Sequence, residues 1–142
     1  MNATYEKDFY AWLLKSAQLL RQGKFSELDV EQVAEELEGM ARSDKRQLLN
    51  RFAVLLAHLL KWQYQPEKRS KSWERTIREQ RKRISLLLEE SPSLKSEIDQ
   101  KLSDAYEIAV LSAANETGLD DDRFPESCEY SWEEVLDEIY PD

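Results

Sequence analysis

The side chain best suited to proton transfer near neutral pH is His58, the only histidine of the chain. On the helix predicted around it, His58 lies opposite the centre of a leucine face, one turn from Trp62. One hypothesis is therefore an enzyme that uses His58 with an acidic residue from another helix. We favour the simpler interpretation, in which this histidine packs two elements together through hydrogen bonds.

The sequence gives little support for a metal site or for a catalytic nucleophile. Glu31, Glu35 and Glu38 follow one side of a predicted helix, but that side is opposite its apolar face, so we interpret it as a solvated surface. Zinc sites usually need three or four suitable ligands, and the chain has one histidine and one cysteine, Cys128. The acidic neighbours of that cysteine disfavour a reactive thiolate. We predict no catalytic residue, no metal site and no cofactor.

The most informative pattern is a row of cations on a predicted helix. Lys71, Arg75, Arg78 and Lys82 are spaced i, i+4, i+7 and i+11, which places them on one stripe. Aromatic and basic side chains alternate in the residues before this stripe. Such a surface suits either an acidic protein or nucleic acid, whose phosphates bind cations and whose bases stack on aromatic rings. The predicted binding residues are His58, Trp62, Tyr64, Arg69, Trp73, Arg75, Arg78 and Lys82.

Charge is segregated along the chain. Residues 42–83 contain thirteen basic and four acidic side chains, whereas residues 116–142 contain one and eleven. The acidic end also has apolar residues at helical spacing, which a purely solubilising tail does not need. These anchors are Leu119, Phe124, Tyr130, Trp132, Val135, Leu136, Ile139 and Tyr140. We predict that residues 119–142 form an acidic segment that packs on the bundle beside the basic surface of residues 61–83.

These surfaces leave three hypotheses for function. The first is a non-catalytic interaction or regulatory module that binds a protein partner or a second copy through the 61–83 surface and the acidic segment. The second is nucleic-acid binding through the same surface, although the net charge of −9 opposes long-range attraction to a polyanion. The third is the enzyme that uses His58.

Hydrophobic periodicity predicts the elements that position these residues. An apolar face from Tyr5 to Leu20 predicts a first helix that ends at Gly23, and a second helix starts at Asp29. We predict that Ser43 caps a third, leucine-rich helix that ends before Pro66. Ser72 is the predicted cap of a fourth helix, and Ser91-Pro92 begins a fifth that ends at Gly118. A capping box of Ser131 and Glu134 predicts a short last helix.

Length and composition set the class. The 142 residues fit a single domain, and three glycines leave little material for hairpins or a glycine-rich phosphate loop. The longest apolar run, Phe52 to Leu60, is interrupted by His58 and is far shorter than a membrane span, so we expect no membrane partner. A single cysteine and the absence of a signal-like start favour the cytoplasm. We predict an all-α bundle of about five main helices plus a short C-terminal helix.

Several blocks of sequence resemble a known family. They are YEKDFYAWLLKSAQLLRQGKFSEL (Tyr5 to Leu28), LAHLLKWQYQP (Leu56 to Pro66), SWERTIREQR (Ser72 to Arg81), LLEESPSL (Leu87 to Leu94) and ETGL (Glu116 to Leu119). In this order they resemble the bacterial and cyanobacterial family DUF29, over nearly the whole chain. The order Gly39, Met40, Ala41, Arg42, Ser43 departs from the Met-Gly-Arg-Ser that is usual there, and Glu129 replaces a common proline. The resemblance implies an all-helical bundle and assigns no activity.

Overall fold

The computed structural model describes the backbone of residues 2–137 and the side chains of residues 5–137. Six α-helices are found there: α1 (Asn2–Lys7), α2 (Phe9–Arg21), α3 (Val30–Tyr64), α4 (Lys71–Glu90), α5 (Ile98–Thr117) and α6 (Trp132–Leu136). Short 3-10 turns join several of them. The described residues include no strand, and the predicted all-α class is confirmed.

Two compact units make up the chain, Met1–Ser43 (unit 1) and Asp44–Asp142 (unit 2). In unit 1, the carboxylate of Asp8 accepts a hydrogen bond from the Ala11 amide and so caps α2. The sequence predicted no such break within its first helix. Gly23, with φ +70°, directly follows the C-cap of α2, and it confirms the predicted end of that helix. Among the side chains of this unit from residue 5 onward, the buried ones are Trp12, Ser16, Leu19 and Leu28.

The predicted break at Ser43 is wrong, because α3 is one continuous helix of 35 residues from Val30 to Tyr64. A serine cap is a local signal, and neither proline nor a left-handed glycine stands beside Ser43 to stop a helix. Ala41 and Arg42 are strong helix formers, so the helix propagates through this position. The predicted start at Asp29 is correct, since its carboxylate accepts from the Gln32 amide at 3.1 Å.

The core of unit 2 centres on the second half of α3. Leu48, Phe52, Leu55 and Leu56 are fully buried, as the leucine face predicted. They pack in one cluster with Ile77 and other apolar side chains of α4, α5 and the C-terminal segment. Burial of this continuous apolar face stabilises the unit and holds α3 and α4 in place.

Two helix starts in unit 2 differ from prediction. The hydroxyl of Ser70, not that of Ser72, caps α4 by accepting from the Trp73 amide at 3.2 Å. After Ser91, residues Pro92–Glu97 form a 3-10 turn, and α5 begins only at Ile98. Proline fixes a φ angle that suits both kinds of helix, so its position alone does not distinguish them.

The C-terminal segment is anchored by apolar side chains. Gly118, with φ +77°, ends α5 as predicted. Phe124 and Val135 are buried in the core cluster of unit 2. The predicted capping box is present at α6, where Ser131 and Glu134 bond each other's backbone amides. Of the predicted anchors, Ile139 and Tyr140 lie outside the described residues.

Candidate functional site: a basic groove along helix α4

Helix α4 has one buried and one exposed side. Ile77, Ile84 and Leu88 face the core of unit 2. The four cations of the predicted stripe, Lys71, Arg75, Arg78 and Lys82, are all exposed. Because the two sets differ in helical phase, packing the apolar side against α3 necessarily presents the basic side to solvent.

A groove of about 880 Å³ runs along this basic side. Three predicted binding residues line it: Arg75, Arg78 and Lys82. The remaining lining residues are Glu74, Glu79, Arg81, Ser85 and Leu136. The structure thus brings three of the predicted cations together with an apolar side chain from the C-terminal segment, which makes one wall of the groove. The groove can accommodate a ligand that is both anionic and partly apolar.

Arg81 holds that wall in place. Its side chain is buried, and its Nε donates to the main-chain oxygen of Val135 at 2.8 Å, while Nη2 donates to that of Glu134 at 3.2 Å. Arg81 is not among the binding residues predicted from the sequence. Its position in the sequence could have indicated this burial. Arg81 comes four residues after Ile77 and three before Ile84, which places its charged side chain on the apolar face of the helix.

The aromatic side chains that the sequence singled out lie elsewhere, in contact with other parts of unit 2. The guanidinium of Arg69 lies 4.9 Å from the ring centre of Trp62, and its Nε donates to the main-chain oxygen of Trp62 at 2.9 Å. The ring of Tyr64 packs edge-on against Phe124 with 5.3 Å between ring centres. Neither these three predicted residues nor Trp73 lines the groove.

A buried cation lies over the ring of Trp73. Lys61 is 5% exposed, its Nζ lies 5.2 Å from the Trp73 ring centre, and it forms an ion pair with Glu116. Burial of a lysine is costly unless its charge is compensated, and the carboxylate and the ring both compensate it. Lys61 and Trp73 therefore join α3, α4 and the end of α5.

His58 is half-buried on α3 and does not line the groove. Its Nδ1 lies 2.8 Å from the main-chain oxygen of Val54 and donates to it, which leaves Nε2 as the acceptor. Burial lowers the pKa of His58 below its ordinary 6.5, and the nearby Lys61 ammonium acts in the same direction. This hydrogen bond lies within α3, so it does not join two elements, unlike the contact that the sequence predicted for His58.

Cys128 and two tyrosines connect the C-terminal segment to the rest of unit 2. The hydroxyl of Tyr130 donates to the Gln63 side chain, and that of Tyr106 donates to the main-chain oxygen of Pro125 at 2.6 Å. Burial raises the pKa of the Cys128 thiol, which favours its neutral form. Burial also raises the pKa of Tyr130 above its ordinary value.

Two features of the described residues concern the kind of site. In the part of the chain that the structure describes, no three or more histidine, cysteine or acidic side chains form a cluster that could hold a metal ion. Over residues 2–137, no helix has both the length and the apolar character needed to cross a membrane.

The protein is thus an all-α protein with a basic groove beside its C-terminal segment. Within that class, the family model described as "Domain of unknown function DUF29" matches residues 4–141. The chain therefore belongs to the DUF29 family, and the resemblance drawn from the sequence is confirmed. Comparison with curated proteins and with solved structures found no significant match.

Proposed function

We propose that this DUF29 protein is a small, non-catalytic cytoplasmic interaction module that binds an acidic segment of a partner protein. The observation that supports this best is the groove along α4, where Arg75, Arg78 and Lys82 stand beside Leu136. The basic 61–83 surface supplies the cations, and the acidic C-terminal segment supplies the apolar wall. The match over residues 4–141 supports treating the chain as one domain.

The chemistry of the groove favours an amphipathic ligand. Three exposed cations on one helix attract carboxylates, and an arginine can bind both oxygens of one carboxylate. A neighbouring leucine gives apolar side chains of the ligand a surface to cover. A partner helix with apolar residues at i, i+3, i+4 and i+7 and acidic residues beside that stripe meets both requirements along the length of α4.

Nucleic acid fits this groove less well. Glu74 and Glu79 line it among the cations, and each would repel a passing phosphate. Trp62, Trp73 and Tyr64 contact Arg69, Lys61 and Phe124, so they are not presented as free stacking surfaces in the groove. An acidic protein helix can place apolar side chains against Leu136 and leave gaps opposite the two glutamates, which a uniform phosphate backbone cannot.

The proposal is tested by photo-crosslinking in the cells that make the protein. Ser85 lines the groove without being a cation, so a photoreactive amino acid there leaves Arg75, Arg78 and Lys82 unchanged. Ser103 on α5 is exposed outside the groove and is the matched control position. We expect a protein adduct from position 85 and not from 103, with the crosslink mapped to an acidic segment of the partner.

Charge reversal distinguishes the groove from general electrostatic attraction. Arg78→Glu should abolish the adduct from position 85, whereas Arg83→Glu should preserve it, because Arg83 is on the same helix but does not line the groove. Equal loss in both variants contradicts the proposal, as does the absence of any adduct. An adduct that nuclease removes would instead establish nucleic-acid binding through the same surface.

A further inference from the structure

A second groove of unit 2 lies where helix α5 meets the segment that follows it, and its volume is about 500 Å³. Its lining residues are Tyr106, Glu107, Val110 and Leu111 of α5, and Asp121, Asp122, Phe124, Pro125 and Glu126 of the following segment. Four of these nine residues are acidic and none is basic, so we call it the acidic groove. It shares no lining residue with the basic groove along α4.

The acidic groove also offers apolar surface to a ligand. Leu111 is 61% exposed, and Val110 and Pro125, which line the same groove, are partly exposed. A ligand that removes these side chains from water gains affinity through the hydrophobic effect.

The acidic and apolar side chains belong to one surface. On α5 the four lining residues cover an arc of about 140°, within which Glu107 lies between Val110 and Leu111. The other carboxylates of the groove are those of Asp121, Asp122 and Glu126. All four acidic side chains are exposed, and none of them forms an ion pair with another residue of the described part of the chain. Their charge is therefore available to a cationic ligand.

The segment that follows α5 is held in place before any ligand binds. The hydroxyl of Tyr106 donates to the main-chain oxygen of Pro125 at 2.6 Å. The ring of Phe124 is buried and packs edge-on against Tyr64. Binding to a preformed groove does not require the ordering of a loop, so less of the contact free energy is lost.

We propose that the acidic groove binds a basic amphipathic helix of a partner protein. Carboxylates and apolar side chains of the groove both come from α5 and from the segment after it. A fitting ligand must therefore combine cations with an apolar stripe. A helix with apolar residues at i, i+3, i+4 and i+7 and lysines or arginines beside that stripe does so. A linear polyamine supplies the cations but has no side chain to cover Leu111.

The first test measures the binding of synthetic peptides to the full chain by fluorescence anisotropy. The probe is a labelled peptide of about 18 residues, long enough to form a helix, with leucines at i, i+3, i+4 and i+7 and lysines beside them. A scrambled peptide of the same composition, in which the leucines share no face, is the control. The amphipathic peptide should bind at least roughly tenfold more tightly, because it can bury leucine side chains. Equal affinity, or no binding up to about 100 µM, overturns the proposal.

Two double substitutions with the same change of charge show whether the peptide binds in the acidic groove. Glu107→Gln with Glu126→Gln removes two of its carboxylates and should weaken binding roughly fivefold. Glu89→Gln with Glu90→Gln changes two exposed positions of α4 outside the groove and should leave the affinity almost unchanged. Equal weakening in both would show that the peptide responds only to the net charge of the chain, and would contradict the proposal.

Two equally exposed leucines test the apolar part of the groove. Leu111→Ser should weaken binding of the amphipathic peptide roughly fivefold or more, whereas Leu37→Ser should not, although Leu37 in unit 1 is 62% exposed. Circular dichroism verifies that every variant is folded. Greater sensitivity to Leu37→Ser would place the peptide on unit 1 and overturn the proposal. Displacement of the peptide by equimolar spermidine would identify a polyamine site instead and would also overturn it.

Discussion

Arg81 of α4 donates a hydrogen bond to the main-chain oxygen of Val135 in α6, with an N–O distance of 2.8 Å across 54 positions of sequence. The contact places a cation at the C-terminal end of a short helix, where carbonyl oxygens concentrate negative partial charge. Val135 itself is fully buried. One apolar side chain and one buried arginine therefore attach the acidic segment beside the groove.

Replacing Arg81 should destabilise the protein substantially. Arg81→Met removes two charge-assisted hydrogen bonds to main-chain oxygens, one buried and one partly buried, so the free energy of unfolding should fall by about 2–3 kcal/mol. Arg81→Lys should lose part of this stabilisation, because the ammonium group of a lysine cannot reproduce the planar set of N–H donors of the guanidinium. Urea unfolding followed by circular dichroism measures both. Arg83→Met, which removes an exposed i, i+4 pair, should cost under about 0.5 kcal/mol, and a similar cost at both positions would contradict the anchoring role.

Val135 should contribute to stability through its burial alone. Val135→Ala creates a small cavity in the core cluster and should lower the free energy of unfolding by about 1–2 kcal/mol. Limited proteolysis should then cleave the C-terminal segment faster than in the wild-type chain. Glu133→Ala, an exposed change in the same helix, is the control and should change neither measurement appreciably. Resistance of the Val135→Ala segment to cleavage would contradict its attachment through this side chain.

Structural features that depend on residues within one helical turn could be predicted from the sequence. The left-handed glycines at 23 and 118 and the capping box at Ser131 need only their immediate neighbours, and all three are present. The cap predicted at Ser43 is equally local, but the helix-forming residues around it prevail. The basic stripe of α4 was predictable from period alone.

Features that depend on distant parts of the chain were not predictable. Arg81 is buried because residues 134 and 135 pack against it, and no local sequence pattern specifies that contact. The helical periodicity of apolar residues also identifies an apolar face, but it does not show which part of the molecule covers that face. For example, Val30, Leu37 and Met40 share one apolar face of α3 by helical period, yet remain exposed.

Two glycines give a matched test of helix conformation. Gly39 lies inside α3, and a Cβ added there would meet only the Arg42 side chain, at 3.7 Å. Gly39→Ala should therefore raise the free energy of unfolding by about 0.5–1 kcal/mol, because alanine loses less backbone entropy. Gly118→Ala should lower it by about 1 kcal/mol, since φ of +77° is strained for an L-residue. Thermal unfolding of both variants checks the opposite signs, and stabilisation by Gly118→Ala would contradict the left-handed cap.

The lowered pKa of His58 should appear as pH-dependent stability. In the folded state this histidine resists protonation, so between its folded pKa and its ordinary 6.5 the unfolded chain binds more protons. Its contribution is therefore fully present above pH 6.5 and is lost as the pH falls through the folded pKa. His58→Gln should show a shallower loss of stability than wild type just below pH 6.5, measured by urea unfolding. A single-histidine NMR titration gives the folded pKa directly, and a value above 6.5 would contradict the burial effect.

The contribution of Tyr106 to stability should depend on pH in the opposite direction, and in the alkaline range. Burial raises its pKa from 10.0 to about 12, with smaller contributions from Cys128 and Tyr64. Between these values the folded chain keeps a proton that the unfolded chain has released, so stability falls as the pH rises from 10 towards 12.

Tyr106→Phe removes both this titration and the hydrogen bond to Pro125. The variant should be less stable than wild type by about 1 kcal/mol at neutral pH, yet lose stability more slowly above pH 10. Part of the decline should persist, because burial also raises the pKa of Tyr130. Tyr10→Phe, at a position that is 72% exposed, is the control and should leave the unfolding curve unchanged. Equal alkaline slopes for Tyr106→Phe and wild type would show that the Tyr106 hydroxyl is not held in its neutral form by burial.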